Sequence, residues 1–335
     1  MHFVDFLEDY RLVAIFTVIC TAIIWHNLKL LANVLGNSHY GKTKYVLVTG
    51  CDSGFGLAIA LDLVESKCEV FAGCLTQEGV DRLEKNKDFD GFAFLMDVTK
   101  NEDVENARKF IEEKTGNDGL YAVVNNAGIQ RLGRISWQSM EDLEKVMDVN
   151  FWGMARTTKA MLPLLTKTKG RIVNMSSSAG TLPFSYAGCY TISKHAIEAF
   201  SYCLMEEVVH EGISVHIIRP TGQKTNIINP EIQRKQWEDD FNKQSDDIKQ
   251  RYGPNLTKYL NNLVKKINLV PEGTAQVVSK VNHAIMSSNP HITYTVGPYS
   301  WIYKILACLP VSYYQSFAYS IFPQLEPIVD RFGRR

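Results

Sequence analysis

Short apolar runs alternate with longer amphipathic segments over most of the chain. The short runs are rich in Val, Ile, Phe and Ala and end at glycine or polar residues, which is typical of buried strands. These predicted strands cover residues 44–50, 69–75, 91–96, 120–124, 170–175, 213–218 and 292–296. Apolar positions recur at helical spacing between several of them, over residues 57–66, 103–114, 140–165 and 190–210.

This alternation predicts the fold class. Two parallel strands need a crossover of about a dozen residues or more, which a helix commonly supplies. The expected architecture is an α/β protein with a doubly wound, Rossmann-like parallel sheet and helices on both faces. We expect one main domain over residues 41–298, preceded by an anchor and linker (1–40) and followed by a hydrophobic extension (299–335).

The ends of the predicted strands carry residues suited to holding a ligand. Gly50, Asp97, Asn125 and Pro220 each lie at or just after such an end, and residues 176–178 are a run of serines. Open parallel sheets bind ligands at the carboxyl ends of their strands. The sequence therefore predicts a binding site along this edge of the sheet.

A glycine-rich turn, TGCDSGFG at residues 49–56, follows the first strand. Glycines let the backbone approach a ligand closely, and the following helix presents unpaired N–H groups to an anion. The turn is therefore interpreted as the phosphate cradle of a dinucleotide site, although a plain strand–helix turn is the alternative. Its candidate cofactor-binding residues are Gly50, Asp52, Ser53, Gly54, Phe55 and Gly56.

Charge near the second strand favours NAD over NADP. An acidic residue at the end of this strand marks ribose binding in many NAD sites, but Cys74 and Leu75 stand there instead. No arginine or lysine follows closely to hold a 2′-phosphate, and Asp52 would repel one. On charge alone, NAD is the preferred cofactor.

Tyr190 and Lys194 are the candidate proton-transfer pair. They stand at positions i and i+4 of a predicted helix, so both side chains share one face. A cation beside a phenol stabilises the phenolate and lowers its pKa, which suits proton transfer near neutral pH. In isolation, such a pair is most often an exposed tyrosine and a solvated lysine. Here it follows the strand ends that would cradle a dinucleotide, which favours the catalytic interpretation.

Composition narrows the class of partner. The chain has 335 residues, with 36 Lys and Arg against 36 Asp and Glu, so no net field attracts nucleic acid. Its 7 cysteines are scattered, odd in number and without CxxC spacing, which argues against a disulfide framework and a zinc site. We expect neither a nucleic-acid partner nor a metal.

The apolar run at residues 12–25 predicts a membrane anchor. It reaches the roughly 20 residues that span a bilayer only if it continues to residue 31. Asp5, Glu8 and Asp9 precede the run and no small-residue cleavage site follows, which disfavours a signal peptide. A buried core helix is the alternative. Lysines after the run place the main domain on the cytosolic face by the positive-inside rule.

Two later segments each have two interpretations. Residues 222–270 are polar and largely helical, and predict either a lid over a substrate site or a solvated pair of surface helices. Residues 299–323 combine Trp and Tyr with interrupted apolar runs. This composition suits either a bilayer interface or a terminal helix that packs on the core.

Together these motifs resemble the short-chain dehydrogenase/reductase family over residues 44–300. The matching motifs are TGCDSGFG, Asp97-Val98, NNAG at 125–128, Asn150 in DVNFWG, the serines at 176–178, YTISK at 190–194 and Pro220. TGCDSGFG, with FAGCLT after it, is most similar to the membrane-associated branch. That branch holds retinol dehydrogenases, 17β-hydroxysteroid dehydrogenase type 2 and 3-hydroxybutyrate dehydrogenase.

The resemblance implies a role for each matching residue. Tyr190 is the general acid/base, and Lys194 lowers its pKa and binds the nicotinamide ribose. Ser177, with the serines at 176 and 178 as alternatives, polarises the substrate oxygen, and Asn150 supports a proton relay behind the lysine. Further cofactor contacts are implied for Asp97, Asn125, Ala127, Gly128, Pro220 and Thr225. The family also implies a homo-oligomer, and the branch implies a membrane of the endoplasmic reticulum or, alternatively, of mitochondria.

One position departs from the family. Pro220 is followed by Thr221, where the family usually has a glycine facing the nicotinamide, and Gly222 comes one residue later. A Cβ at this point restricts positive φ angles. The departure affects the expected cofactor geometry at this edge and leaves the expected fold unchanged.

Three functions are compatible with these residues. The first is NAD(H)-dependent oxidation or reduction of a lipophilic alcohol or carbonyl, a steroid or retinoid, because such substrates partition into the bilayer that the anchor and tail indicate. The second is a short-chain 3-hydroxy acid dehydrogenase, which needs a cationic clamp such as Lys224, Arg234 or Lys235. The third, a non-catalytic dinucleotide-binding scaffold, is disfavoured because Tyr190 and Lys194 are both present.

Overall fold

The computed structural model describes residues 16–18, 20–21, 24, 43–222, 230–268, 273–310 and 312–314. The chain forms two units, residues 1–42 with 286–290 and residues 43–285 with 291–335. Most of the predicted anchor lies outside the described residues, and its described positions are helical and largely exposed. Within the described ranges, no helix is long and apolar enough to cross a membrane.

The second unit is built on a seven-stranded sheet whose neighbouring strands all run parallel. The strands are β1 (Lys44–Thr49), β2 (Cys68–Cys74), β3 (Phe92–Leu95), β4 (Ala122–Asn125), β5 (Arg171–Met175), β6 (Ser214–Pro220) and β7 (Thr293–Val296). Their order across the sheet is β3-β2-β1-β4-β5-β6-β7. The predicted doubly wound parallel sheet is confirmed, and the strand ends differ from the prediction by about two residues at most.

Helices connect these strands. They are α1 (Gly54–Glu65), α2 (Gln77–Glu84), α3 (Asn101–Thr115), α4 (Met140–Met147), α5 (Gly153–Thr166), α6 (Gly188–Val208), α7 (Pro230–Asn242), α8 (Asp246–Asn268), α9 (Ala275–Met286) and α10 (Ser300–Ala307). A π-helical turn, Asp148–Trp152, joins α4 to α5. The single helix that periodicity predicts over residues 140–165 is therefore interrupted in its middle.

Helices cover both faces of the sheet. On one face, Leu47, Val123 and Ile172 share a buried cluster with residues of α3, α5 and α6. On the other face, Arg171 points away from its neighbour Ile172 and donates from Nη1 to the carbonyl oxygen of Ala284 in α9 at 2.8 Å. The predicted two-sided arrangement is confirmed.

Helices α7 and α8 bury aromatic side chains against the segment between β5 and α6. We call this the aromatic cluster, and its buried members are Leu132, Trp137, Ala179, Leu182, Phe184, Ala187, Trp237, Phe241, Tyr252, Leu256, Tyr259, Leu260 and Tyr314. The Trp137 ring meets those of Trp237 and Tyr252 edge-on, with centroids 5.9 and 5.6 Å apart. One face of each helix is therefore packed, and in α7 this buried face also carries the polar side chains of Gln233 and Asp240.

Helix α10 has two unlike faces. Tyr303 and Leu306 pack against the aromatic cluster, and Tyr314 just beyond the helix donates from its hydroxyl to the carbonyl oxygen of Pro183 at 2.7 Å. Trp301 and Ile305, in contrast, are 64% and 55% exposed. The described part of the C-terminal extension therefore packs on the core and also presents apolar side chains outward.

A chain of buried amides links the central strands to α5 and α6. Asn125 Nδ2 donates to Thr158 Oγ1 in α5 and to Asn174 Oδ1 in β5, both at 2.8 Å. Asn174, which is fully buried, donates from its own Nδ2 to Ser201 Oγ in α6 at 2.9 Å. Because buried polar groups need partners, this amide chain fixes the two helices against the carboxyl edge of the sheet.

Removing the middle of the amide chain should destabilise the protein. In Asn174→Ala, the amide of Asn125 and the hydroxyl of Ser201 each lose a partner while staying buried. We expect the free energy of unfolding, measured by urea denaturation, to fall by about 2–3 kcal/mol. The control Asn117→Ala, at an exposed turn, should change it by less than ~0.5 kcal/mol. Equal losses in the two variants would contradict the structural role of the amide chain.

Candidate active site

The glycine-rich turn needs its glycines for two physical reasons. Gly50 and Gly54 have φ angles of +71° and +60°, in the left-handed region that favours glycine. A Cβ on Gly50 would lie 2.8 Å from the Cα of Ala127, so the ends of β1 and β4 approach each other too closely for a side chain. The turn then enters α1, whose N-cap residue Ser53 makes no capping hydrogen bond with its side chain. Ser53 therefore does not occupy the first N–H groups of α1, and these groups suit the binding of an anion.

A cleft of about 550 Å³ lies over this turn, at the carboxyl ends of the strands. It is lined by eight of the predicted cofactor-binding residues, Gly50, Asp52, Ser53, Gly54, Phe55, Asp97, Ala127 and Gly128. The glycine turn, the unpaired helix N-terminus and the cleft together fit the pyrophosphate and adenosine parts of a dinucleotide.

The sequence did not assign a cofactor contact to the other residues that line the cleft. They are Leu75, Thr76, Met96, Val98, Thr99, Asn126, Ile129, Lys145, Asp148 and Val149. Most adjoin a predicted residue at the same strand end, so the pattern of strand ends could have indicated them. Asp148 and Val149, in the π-helical turn, belong to the DVNFWG motif, whereas no motif in the sequence points to Lys145 in α4.

Thr49 and Asn126 tie the glycine-rich turn to β4. Asn126 Nδ2 donates to the carbonyl oxygens of Thr49 and Gly50 at 2.8 and 3.2 Å. Thr49 Oγ1 accepts hydrogen bonds from the backbone N–H groups of Asn126 and Ala127, both at 3.0 Å. Gly56 belongs to the same junction, because a Cβ there would overlap the carbonyl oxygen of Gly50. These residues fix the shape of the cradle where the strand order reverses.

Asp52 places a carboxylate at the end of β2. Its Oδ2 accepts from the N–H of Leu75 at 2.8 Å, and its Oδ1 accepts from the N–H and the hydroxyl of Thr76 at 2.9 and 2.8 Å. The acidic residue that β2 itself lacks is thus replaced in space by one from the glycine-rich turn. Sequence spacing alone could not show this, because the two segments are distant along the chain.

Asp97 and Asn125 differ in where their side chains point. Asp97 lines the cleft and its Oδ1 accepts from the N–H and hydroxyl of Thr99 at 3.0 and 2.7 Å. Burial raises the pKa of Asp97, but these hydrogen bonds and the charge of Lys100 outweigh it and hold the pKa below its ordinary value. Asn125, in contrast, turns into the buried amide chain and supports the cleft from behind.

Asn150 links the cleft to the helix that carries Tyr190. Its Oδ1 accepts from the N–H of Ile129 at 2.8 Å, and its Nδ2 donates to the carbonyl oxygen of Ile129 at 2.9 Å and to Ser193 Oγ at 3.0 Å. Ser193 Oγ in turn donates to the carbonyl oxygen of Tyr190 at 2.7 Å. Asn150 lies in the π-helical turn, whose extra residue sets the direction of its side chain, and such turns are frequent at functional sites.

The proton-transfer residues meet where the carboxyl end of β5 faces the first turns of α6. They are Tyr190, Lys194 and Ser177. Lys194 Nζ donates to the carbonyl oxygen of Met175, the last residue of β5, at 2.7 Å and lies 5.5 Å from the centroid of the Tyr190 ring. Ser177 is close enough to Tyr190 to affect the pKa of its phenol, and Ser177 Oγ accepts from the N–H of Ala179 at 3.1 Å. Ser176, the neighbouring alternative, directs its hydroxyl elsewhere, to Glu198 at 2.6 Å.

The sequence predicts that Lys194 lowers the pKa of Tyr190, but in the structure the pKa of Tyr190 lies above its ordinary value. Burial raises the pKa of Tyr190 to about 12, against the opposing effect of the nearby Ser177 hydroxyl. Burial also lowers the pKa of Lys194 to about 8, although the charge of Glu198 raises it. Desolvation penalises the charged form of both groups, and in the protein alone this effect exceeds the attraction between them.

The departure at Thr221 is accommodated without backbone strain. The Thr221 N–H donates to the carbonyl oxygen of Val296 at 2.8 Å, and its hydroxyl donates to that of Pro298 at 2.7 Å. Thr221 is absent from the described residues with positive φ. The threonine therefore extends the pairing of β6 with β7 just beyond Pro220. The predicted contact of Thr225 lies outside the described residues.

The match to a family model agrees with this site. Residues 44–236 match the model described as short chain dehydrogenase, which is more than half of the chain. The protein therefore belongs to the short-chain dehydrogenase/reductase family of oxidoreductases that act on alcohols. The resemblance of its motifs to this family is confirmed.

Individual relatives extend the comparison. The chain is 37% identical to mouse retinol dehydrogenase 7 over 276 residues, covering 82% of this chain and 85% of that protein. It is 35% identical to mouse mitochondrial D-beta-hydroxybutyrate dehydrogenase over 274 residues, covering 77% and 78%. Among solved structures, a short-chain dehydrogenase from Streptomyces avermitilis has the same fold. It has a TM-score of 0.63 and 23% identity, and covers 84% of this chain and 94% of that chain.

Adding a methyl group at Gly56 should weaken dinucleotide binding. In Gly56→Ala, the Cβ collides with the carbonyl oxygen of Gly50 and lies 2.5 Å from Asn126 Nδ2, so the cradle must open. We expect the Kd for NADH, measured by fluorescence titration, to rise at least tenfold, or ~1.4 kcal/mol.

The matched control is Gly253→Ala in α8, whose Cβ meets only Phe241 at 3.7 Å. This variant should bind NADH within about twofold of the unmodified protein, and circular dichroism verifies that both variants fold. A Gly56→Ala variant with unchanged affinity would exclude the cradle as the pyrophosphate site.

Proposed function

We propose that this protein uses NAD(H) to oxidise or reduce a lipophilic alcohol or carbonyl, of the retinoid or steroid class. The observation that carries the proposal is the position of Tyr190, which packs against the aromatic cluster. A proton-transfer group beside an extended apolar wall suits a substrate with one polar oxygen on a large hydrocarbon body. Helices α7 and α8, which supply much of this wall, act as the lid over the substrate.

The residues of the site divide the chemistry among them. A bound nicotinamide dinucleotide gives or accepts the hydride. The phenolate form of Tyr190 takes the hydroxyl proton during oxidation, and the phenol form returns it during reduction. Ser177 holds the substrate oxygen beside it. Lys194 places a positive charge near the forming phenolate, in an interior where charges interact strongly. Asn150 holds the N-terminal turn of α6 through Ser193 and connects it to the cofactor cleft.

The carboxylate of Asp52 supports NAD over NADP. It lies at the end of β2 through its bonds to the N–H groups of Leu75 and Thr76. A negative charge at this point accepts hydrogen bonds from ribose hydroxyls and repels a 2′-phosphate. Arg82 donates to the backbone carbonyl oxygen of Asp52, which directs this cation toward the turn itself.

Similarity to the hydroxybutyrate enzyme supports a second candidate, a short-chain 3-hydroxy acid dehydrogenase. Its substrate would need a cation to hold the carboxylate. Of the clamp residues that the sequence offers, Arg234 is bound to Glu238 and Asn261 at 3.0 Å each, Lys235 is exposed, and Lys224 lies outside the described residues. The similarity to retinol dehydrogenase 7 and the aromatic cluster together favour the lipophilic substrate.

We also propose that the protein is attached to a membrane and that it forms a homo-oligomer. The outward side chains Trp301 and Ile305 of α10, together with the apolar run at 12–25, support attachment to a membrane of the endoplasmic reticulum, with mitochondria as the alternative. Exposed Trp152, the last residue of the π-helical turn before α5, and exposed Ile192 on α6 support a homo-oligomer built on these helices.

The proposal is tested by supplying the purified protein with NAD or NADP and with retinol, hydroxysteroids or 3-hydroxybutyrate, and by following absorbance of the reduced cofactor. We expect retinol or a steroid to be oxidised, with NAD favoured at least tenfold in kcat/KM. Tyr190→Phe should lower kcat by about 100-fold or more, because the general acid/base is lost, while the Kd for NADH changes less than about threefold.

The matched control is Tyr299→Phe at a highly exposed tyrosine, which should leave kcat unchanged. Undiminished turnover by Tyr190→Phe would contradict the assigned chemistry. Turnover confined to 3-hydroxybutyrate would replace the proposed substrate class with the alternative, and faster turnover with NADP would contradict the cofactor preference.

A further inference from the structure

Glu198 is a buried carboxylate with no role in the chemistry assigned above. It follows Lys194 by one helical turn on α6, as Lys194 follows Tyr190, so the three side chains share one face of the helix. Glu198 is only 6% exposed. A buried carboxylate is costly unless it is paired, so its partners indicate what it does.

The partners of Glu198 come from the ends of two central strands. Arg219 donates from Nε to Oε1 at 3.0 Å and from Nη2 to Oε2 at 2.8 Å, a two-pronged pair that fixes geometry as well as charge. Ser176 donates from Oγ to Oε1 at 2.6 Å. Tyr202, one turn further along α6, accepts from Arg219 Nη2 at 2.6 Å and completes the group.

These partners adjoin the residues that face the substrate and cofactor. Ser176 immediately precedes Ser177, and Arg219 immediately precedes Pro220. The N–H of Ser176 also donates to the carbonyl oxygen of Ile218 at 2.8 Å, which joins the two strand ends directly. Glu198 therefore ties the ends of β5 and β6 to the helix that carries the proton-transfer pair.

The packing around Glu198 leaves little room for solvent. A Cβ on Gly180 would lie 2.5 Å from Ser176 Oγ, 2.9 Å from the carbonyl oxygen of Lys194 and 3.0 Å from Glu198 Cγ. Because Gly180 has no side chain, the loop that carries the serines at 176–178 packs directly on α6. Fixed charges in such a water-poor setting act over longer distances than they do at a surface.

Glu198 also acts on Lys194 through its charge. Burial lowers the pKa of Lys194 to about 8, and the Glu198 carboxylate opposes this effect. The charged and titratable groups around the carboxylate are Arg219 from β6 and Lys194 and Tyr202 from its own helix, and the end of β5 supplies the neutral Ser176. Arg219 neutralises part of the carboxylate charge, and the remainder favours the ammonium form of Lys194.

We propose that Glu198 is a positioning residue of the active site, which holds Ser177 and Pro220 in place through Ser176 and Arg219 and sets a carboxylate one helical turn from Lys194. This inference rests on the proposed roles of Tyr190, Lys194 and Ser177. Glu198 has two separate effects in this proposal. It places the ends of β5 and β6, and its charge acts on Lys194, and a different substitution removes each effect.

The charge effect is tested by titrating Lys194 directly. The full chain is labelled with ¹³C-lysine, and the Cε resonance that disappears in Lys194→Met is followed by NMR as the pH is raised. We expect a midpoint near pH 8 in the unmodified protein, and a midpoint about one unit lower in Glu198→Gln, which keeps the shape but removes the charge. Glu198→Asp, which retains the charge, should restore most of the shift.

The control for charge is Glu206→Gln at an exposed position of the same helix, which should leave the midpoint unchanged. The same order of shifts should appear in the alkaline fall of kcat/KM for carbonyl reduction with NADH. An unchanged Lys194 midpoint in Glu198→Gln would overturn the proposal. This titration needs no substrate, so it tests the role of Glu198 even if no alcohol or carbonyl in the panel is turned over. Failure of the whole panel would contradict the proposed function and would leave the titration result valid.

The placement effect is tested by Ser176→Ala, which removes one contact of Glu198 and keeps its charge. We expect KM for the substrate to rise about tenfold through the displaced Ser177, while the Lys194 midpoint stays that of the unmodified protein. A normal KM in this variant would remove the link to Ser177. Glu198→Gln could instead lose the same fraction of kcat/KM at every pH and also have a lower Tm. That result would show that Glu198 only stabilises the fold, and it would contradict the proposal.

Discussion

The ammonium group of Lys194 is held inside the protein by the last carbonyl oxygen of β5, and the site depends on this one interaction. A charge removed from water is costly, and the backbone dipole of Met175, the nearby carboxylate of Glu198 and the ring of Tyr190 offset part of that cost. Both charged forms of the Tyr190–Lys194 pair are disfavoured by burial, which makes them sensitive to any charge brought beside them. An oxidised nicotinamide would be such a charge, and its binding would favour the phenolate of Tyr190 in this low-dielectric pocket.

The sheet explains why this interaction can exist. Parallel strands bring their carboxyl ends to one edge, where Thr49, Asn125 and Met175 lie side by side with the start of α6 behind them. The glycine-rich turn, the amide chain through Asn174 and the Glu198 group then fix four neighbouring strand ends, those of β1, β4, β5 and β6, against the helices. The cofactor cleft and the proton-transfer pair are thus two ends of one rigid edge. Rigidity of this kind keeps reacting groups at the distances that hydride transfer needs.

The sequence predicted the fold and most of the site because both follow from local patterns. Alternation of short apolar runs with amphipathic segments fixed the sheet, and residues at strand ends had to meet at one edge. Contacts between distant segments could not be predicted, such as the reach of Asp52 to the end of β2 or the pairing of Glu198 with Arg219. The π-helical turn at Asn150 was missed because one extra residue in a helix barely disturbs its apolar periodicity. The raised pKa of Tyr190 was missed because motifs carry no information on desolvation.

The central claim is that Lys194 acts on the chemistry through its buried charge and does more than bind the cofactor. Stopped-flow measurement of a single turnover, with NADH saturating and Lys194→Met compared with the unmodified protein, tests it most directly. We expect the rate constant for hydride transfer to fall about 100-fold or more at saturation, because the phenol loses the cation that stabilises its phenolate. A variant that transfers hydride at the unmodified rate once it is saturated with NADH would contradict this account.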